Sequence, residues 1–237
     1  AWSFNFLRWN PPRLDFPLGR PYAFECLLGA RREHRDFAML SFQQSNLLEQ
    51  GIVTYRDLFV GHWIDQTPKR VADRFAGFKL TYPYVSEHLD PTWEVKSHMD
   101  NSVSGLVPWE IYNRTWFSVV CETLSHGRVF LSAEKIAKCL QARRLFVVFA
   151  IQGFLQHYRD WGFETFGDVL DESYDSEPDD VTRWHLAFEQ VRSLCGQDLP
   201  ALLQKLQPRL DHNHHRLYAL EQEKRQQLQD FVVDHLK

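Results

Sequence analysis

Several short clusters carry the side chains most able to do chemistry. Ser132-Ala133-Glu134-Lys135 stands where a strand-like run gives way to a helix-like one. The first turn of a helix offers unpaired N–H groups and the positive end of its dipole, which together hold anions. Lys135 adds a full positive charge to such a site. Glu134 suits the two vicinal hydroxyls of a ribose, as acids do in dinucleotide folds. Ser132 reads as the helix cap. The plain alternative is a capped helix with a solvated Glu-Lys pair.

Arg31, Arg32 and Arg35, with His34 among them, follow the first strand-like run. Arginine forks match phosphate oxygens two at a time. Cations at a helix start oppose the dipole, so three of them there point to a bound anion. The plain alternative is a solvated basic first turn. Glu122, at the end of the run Phe117 to Cys121, is placed to act as a general base or to hold a sugar hydroxyl. A helix-start acid reads equally well. Gln152-Gly153 follows the run Leu145 to Ala150, and Gly153 permits close backbone approach to a ligand or simply a tight turn.

Two further clusters invite a metal and are read without one. Asp211-His212-Asn213-His214-His215 lacks the spacing of a zinc ligand set, so a polar helix segment is expected. Between Asp168 and Asp180 there are seven acids in thirteen residues. Asp171 to Asp175 offers carboxylates to Mg²⁺, but like-charged blocks are usually solvated, and a solvated loop is expected.

The elements that must position these groups follow from periodicity. Tyr22 to Leu28 suits a buried strand, broken at Gly29. Glu33 to Gln50 predicts a helix ended by Gly51, and Ile52 to Tyr55 a second strand. Residues 56–107 mix charges, prolines and aromatics without a period, so short helices and loops are expected, with room for an acceptor-side insertion. Phe117 to Cys121 is a strand, Ala133 to Ala142 a helix, Leu145 to Ala150 a strand and Phe154 to Trp161 a helix stopped by Gly162. Val181 to Cys195 and Leu199 to Leu206 are helical. Leu210, Leu217, Leu220, Leu228, Phe231 and Val232 trace an amphipathic C-terminal helix. The alternation predicts an α/β fold with a Rossmann-like parallel sheet over residues 22–195, an irregular lead-in over 1–21, and C-terminal helices over 196–237.

Composition narrows the class. The 237 residues carry 27 Lys and Arg against 31 Asp and Glu, a net charge of −4 that gives no basic stripe for nucleic acid. The longest apolar run, Leu145 to Ile151, is far short of the ~20 residues of a membrane helix. The four cysteines are widely spaced, and buried free thiols in a reducing, cytoplasmic compartment are expected.

Taken in order, these segments resemble a group of bacterial and phage-encoded proteins classed as glycosyltransferases. Its motifs run "V-x-E-T", "T/S-E-K-T-x-K-P", "PF-hydrophobic-G-x-x-G-x-L", "L-G-F-K-T-F" and "D-E-S-Y-D". The matching pieces here are Val120 to Thr123, Ser132 to Lys138, Leu145 to Leu155, Trp161 to Phe166 and Asp171 to Asp175. Cys26 to Arg35 is similar to the group's "C-L-N-R-x-x-R-x-H-R" opening. The match covers residues 22–195, with 56–107 unmatched. The Glu-Lys pair is also similar to the "T-E-K" donor motif of the α1,3-fucosyltransferase group.

The resemblance implies a GT-B-like enzyme moving a sugar from a nucleotide-sugar co-substrate to an acceptor hydroxyl, without a metal. In it Glu134 meets ribose, Lys135 the diphosphate, and an arginine of the Arg31, Arg32 and Arg35 set meets phosphate from the other side. Ser132, Gln152 and Gly153 complete the donor site, and Glu122 is the base. The donor sugar, its nucleotide, the oligomeric state and the acceptor (glycan, lipid, protein or modified nucleobase) stay open. Leu28-Gly29 replaces the group's Asn-Arg, Cys139 its Pro and Ala150 a Gly. These departures motivate a rival, a non-catalytic nucleotide-sugar-binding module. A third reading, a DNA-base glycosyltransferase, rests on a basic patch from Arg143 and Arg144. A two-lobed transferase asks for more chain than this, so a compact variant or a part of an enzyme is expected.

Overall fold

The strands form where apolar runs are buried on both faces, the signature of a parallel sheet covered by helices. A computed structural model describes residues 19–56, 67–89 and 106–235. Strand β1 is Tyr22–Leu28, followed by helix α1, Glu33–Gln44, and strand β2, Gly51–Tyr55. Phe24 of β1 stacks on Phe42 of α1 at 5.0 Å between ring centroids.

Sequence spacing predicts one helix as far as Gln50, but α1 ends at Gln44. Asn46 turns the chain at φ +55, and a 3-10 turn, Leu48–Gln50, leads into the sheet. Gly51 is therefore not a helix stop. It opens β2, and a Cβ there would stand 2.5 Å from Cζ of Phe24. Close packing, not chain reversal, requires the glycine.

Within 67–89 lie a short helix α2, Lys69–Ala72, a 3-10 turn, Asp73–Phe75, and strand β3, Tyr84–Val85, antiparallel to β2. This edge strand adds to the short helices and loops that composition predicts. Residues 57–66 and 90–105 of the expected insertion, and 1–18 of the expected lead-in, lie outside the described residues.

Helix α3, Trp109–Tyr112, precedes strand β4, Thr115–Cys121. Helix α4, Glu134–Gln141, strand β5, Leu145–Phe149, and helix α5, Phe154–Asp160, follow. Helix α6 is Asp180–Cys195, and helix α7 runs unbroken from Leu199 to His235. Two segments are expected around Pro208, yet the helix continues through it. Proline removes one hydrogen bond inside a helix. Here the buried Leu206, Leu210, Leu217 and Leu220 hold the flanking turns to the body.

The sheet order is β3-β2-β1-β4-β5, with β1, β2, β4 and β5 parallel. Travel along the chain goes from β1 outward to β2, then from β4 outward to β5. The order therefore reverses between β1 and β4. Right-handed crossovers in opposite directions put their helices on opposite faces. Accordingly, α1 packs with α6 through Phe42 and Phe188, whereas α4 meets α7, where His214 Nδ1 stands 2.9 Å from the Gln141 carbonyl. Among the described residues, no helix is long and apolar enough to cross a membrane.

Candidate functional site

Open parallel sheets bind ligands in the crevice beyond the carboxyl ends of the strands, where the strand order reverses. Here that crevice lies past Leu28 of β1 and Cys121 of β4. The sequence clusters around Arg31 to Arg35 and around Glu122 flank it directly. α1 and α4 both begin there, with Arg32 and Ala133 as N-caps, and neither has a side-chain cap. By contrast, Asp175 accepts from the N–H groups of Leu155 and Gln156 at the head of α5, and Asp179 caps α6 through the Thr182 N–H.

At the head of α4, Lys135 Nζ donates to Thr123 Oγ1 at 3.2 Å and lies 3.4 Å from the Glu134 carboxylate. Burial works to raise the pKa of Glu134, but Lys135 and Lys138 together hold it below the ordinary value. Glu134 is thus an anion beside a cation at the mouth of the crevice. Ser132 does not cap α4. Its hydroxyl pairs with the Tyr158 hydroxyl at 2.5 Å, because the chain enters the helix one residue later than the motif suggests.

Glu122 is 0% exposed. Its Oε2 accepts from the Thr123 N–H at 3.1 Å, and Oε1 has no hydrogen-bond partner among the described residues. Burial raises its pKa, opposed by Lys135 and by the N–H groups of Thr123 and Ala133.

The three arginines do not act together. Arg31 is engaged by Asp36, and Arg35 is buried with Nη1 donating to the Ala30 carbonyl at 2.7 Å. Arg32, at the N-cap of α1, is only partly buried. Gln152 and Gly153 are tied to the neighbouring 3-10 turn, Glu172–Ser176. Gln152 Nε2 donates to the Ser176 carbonyl and the Gly153 N–H to that of Asp175, both at 2.7 Å. Gly153, at φ +75, supplies the left-handed turn that brings them there.

The acidic stretch is not a solvated loop throughout. Asp175 caps α5, and Glu172 receives Arg159, the Thr165 hydroxyl and the Phe166 N–H. The histidine cluster docks α7 on the body: His212 meets the Gly162 carbonyl, and Asn213 pairs with both backbone groups of Glu164. The described residues include one trio of metal-type ligands, Glu49, Glu87 and His88, at the opposite, amino end of β2. The cysteines Cys26, Cys121, Cys139 and Cys195 are free thiols.

No family model, curated protein or solved structure matches this chain. What the site can do must therefore be read from its own groups. Two uncapped helix starts face one crevice from opposite faces of the sheet, with Lys135 and Arg32 beside them. Helix starts with a cation beside them can hold an anion.

Sequence reasoning missed three residues that shape the crevice. Thr123 was visible only as part of a motif. Ser125 pairs with His34. Arg183, in the first turns of α6, reaches the carbonyls of Ser125, Ala150 and Glu177. An arginine in an amphipathic helix carries no sequence signal for that reach. The basic patch expected from Arg143 and Arg144 does not form. Arg143 pairs with Asp211, and Arg144 is buried against Ser118, Thr115 and the Tyr112 carbonyl.

Proposed function

We propose that this protein is a nucleotide-sugar-dependent glycosyltransferase of GT-B-like type, with its donor diphosphate at the head of α4. The observation that carries this reading is the convergence of Lys135, Glu134 and Thr123 at an uncapped helix start on the strand-order reversal. Glycosyl transfer needs the leaving diphosphate neutralised, and Lys135 with the α4 N–H groups serves that need. Glu134 takes the ribose hydroxyls, and Arg32 supports phosphate from the α1 side. Arg31 and Arg35 act inside the fold. Glu122, fully enclosed, does not reach an acceptor hydroxyl in this arrangement; in this reading it orients Thr123 and the head of α4 rather than serving as the base.

The test is a thermal-shift panel of UDP, GDP, CMP and TDP, followed by donor hydrolysis. A ligand at a hundred times its dissociation constant stabilises by about 2.7 kcal/mol. One nucleotide diphosphate should raise Tm, and Lys135→Ala should remove both that shift and the hydrolysis while remaining folded. Unchanged turnover in Lys135→Ala overturns the assignment. The enclosure of Glu122 favours a second reading, a binding module without transfer. Tight binding with no turnover across a broad acceptor panel selects it.

A further inference from the structure

The two sides of the crevice are joined by one histidine whose ring nitrogens have different roles. His34, in the first turn of α1, is 2% exposed. Its Nε2 lies 2.8 Å from the Glu122 carbonyl oxygen, and its Nδ1 2.7 Å from Ser125 Oγ. A carbonyl only accepts, so Nε2 carries the hydrogen, and Nδ1 accepts from the Ser125 hydroxyl. One ring therefore grips both ends of a four-residue stretch that leaves the neighbouring strand.

That stretch contains Thr123, the hydroxyl partner of Lys135. Its far end is held again by Arg183, whose Nη2 donates to the Ser125 carbonyl at 3.0 Å. The Glu122 N–H meanwhile donates to the Phe149 carbonyl at 3.0 Å, which continues the β4–β5 ladder. The Glu122–Ser125 stretch is thus fixed from β5, from α6 and, across the strand-order reversal, from α1. The His34 contacts are the ones that reach it from α1. An apolar side chain of the same volume would fill the space but could hold neither end of the stretch.

We propose that His34 is a positioning residue for anion binding, holding the Glu122–Ser125 stretch so that Thr123 presents the Lys135 ammonium to a diphosphate at the head of α4. The inference rests on the donor site described above, and adds a residue that acts through Thr123 and touches no ligand.

The position of each nitrogen allows a discriminating test. A glutamine amide nitrogen reaches about as far as Nε2, whereas an asparagine amide reaches only as far as Nδ1. Dissociation constants for UDP and GDP are measured by calorimetry for the wild type, His34→Gln and His34→Asn. Amide hydrogen exchange is followed over residues 122–126. His34→Gln keeps the bond to the Glu122 carbonyl and His34→Asn the one from the Ser125 hydroxyl, so each loses one hydrogen bond. Each should bind about threefold to tenfold more weakly than the wild type, with faster exchange at the end it releases. Wild-type affinity in both variants, or exchange unchanged in both, overturns the proposal.

A third measurement needs no variant. The imidazole nitrogen-15 spectrum of the wild type should show Nε2 protonated and Nδ1 bare, and the opposite tautomer overturns the proposal. A wild type that binds neither nucleotide overturns the donor-site reading and the ligand named here. The exchange data and the tautomer then still decide whether His34 holds the stretch.

Discussion

The guanidinium of Arg31 lies against the carboxylate of Asp36, with Nη2 2.5 Å from Oδ2. Asp36 is wholly buried and also accepts from the hydroxyls of Tyr55 and Thr67. Removing one partner of a buried ion pair leaves an uncompensated charge, at a cost of about 3–5 kcal/mol. Arg31→Ala should therefore lower the unfolding free energy obtained from urea denaturation by that amount and leave the nucleotide diphosphate affinity of the folded protein unchanged. Arg32→Ala should do the reverse. Unfolding curves beside calorimetric titrations separate the two, and a stable Arg31→Ala that has lost affinity would contradict the assignment.

Thr123→Val preserves shape and removes the hydroxyl that Lys135 Nζ meets at 3.2 Å. The ammonium then loses its fixed direction but not its charge. Diphosphate affinity should fall by about threefold to tenfold, in the range of a single hydrogen bond, with little change in Tm. An affinity equal to that of the wild type would remove Thr123 from the site.

Arg183 ties the segments that leave β4 and β5 to the turn before α6, through donations of 2.7–3.0 Å to the carbonyls of Ser125, Ala150 and Glu177. Lysine keeps the charge but lacks the planar fork. Arg183→Lys should lose about 2 kcal/mol or more of stability, since buried acceptors are left unmet. Urea denaturation measures the loss, and a variant as stable as the wild type would show that the three contacts are dispensable.

Acid should destabilise the fold through His34. Burial, then Arg35 and Arg32, push its pKa well below the ordinary 6.5, against the Glu122 carbonyl, which favours the charged ring. The unfolded chain binds the proton first, so unfolding takes up protons below about pH 6.5, and stability falls as pH drops. The contribution is fully present above that pH. His214 shifts in the same direction, through burial and Arg143. Stability measured from pH 8 down to 5 should fall through this window, and His34→Gln should flatten part of the fall. An identical slope in that variant would assign the acid sensitivity elsewhere.

Much of the framework is legible in local pattern. Tyr22 to Leu28 reads as a strand because an apolar run ends at Gly29, and β1 spans those residues. The runs that form β5 and α6 are as clear. What escapes is set by distant partners. Gly51 looks like a helix stop, yet its role depends on Phe24, on the neighbouring strand. Ser132 has the residue type of a cap, but Tyr158 claims its hydroxyl. In the candidate site, Glu134 and Lys135 stand at a helix start as the motif suggests. The arginines could not be sorted beforehand, because only the fold sets Arg31 against Asp36. Likewise, the acids near Asp175 read as solvated until the head of α5 is seen to lie against one of them.

The 37-residue helix α7 is about 55 Å long at 1.5 Å per residue. Among the described residues its last buried side chain is Leu220, and the turns beyond it bury little, with Leu228 and Phe231 exposed. Those turns carry pairs within the helix, such as Glu221 with Arg225 and Gln226 with Asp230. A helical stretch of that size with so little apolar burial is marginal in water. The outer turns should therefore melt on their own, as a shallow loss of far-ultraviolet ellipticity on warming, well below the temperature at which the sheet gives way.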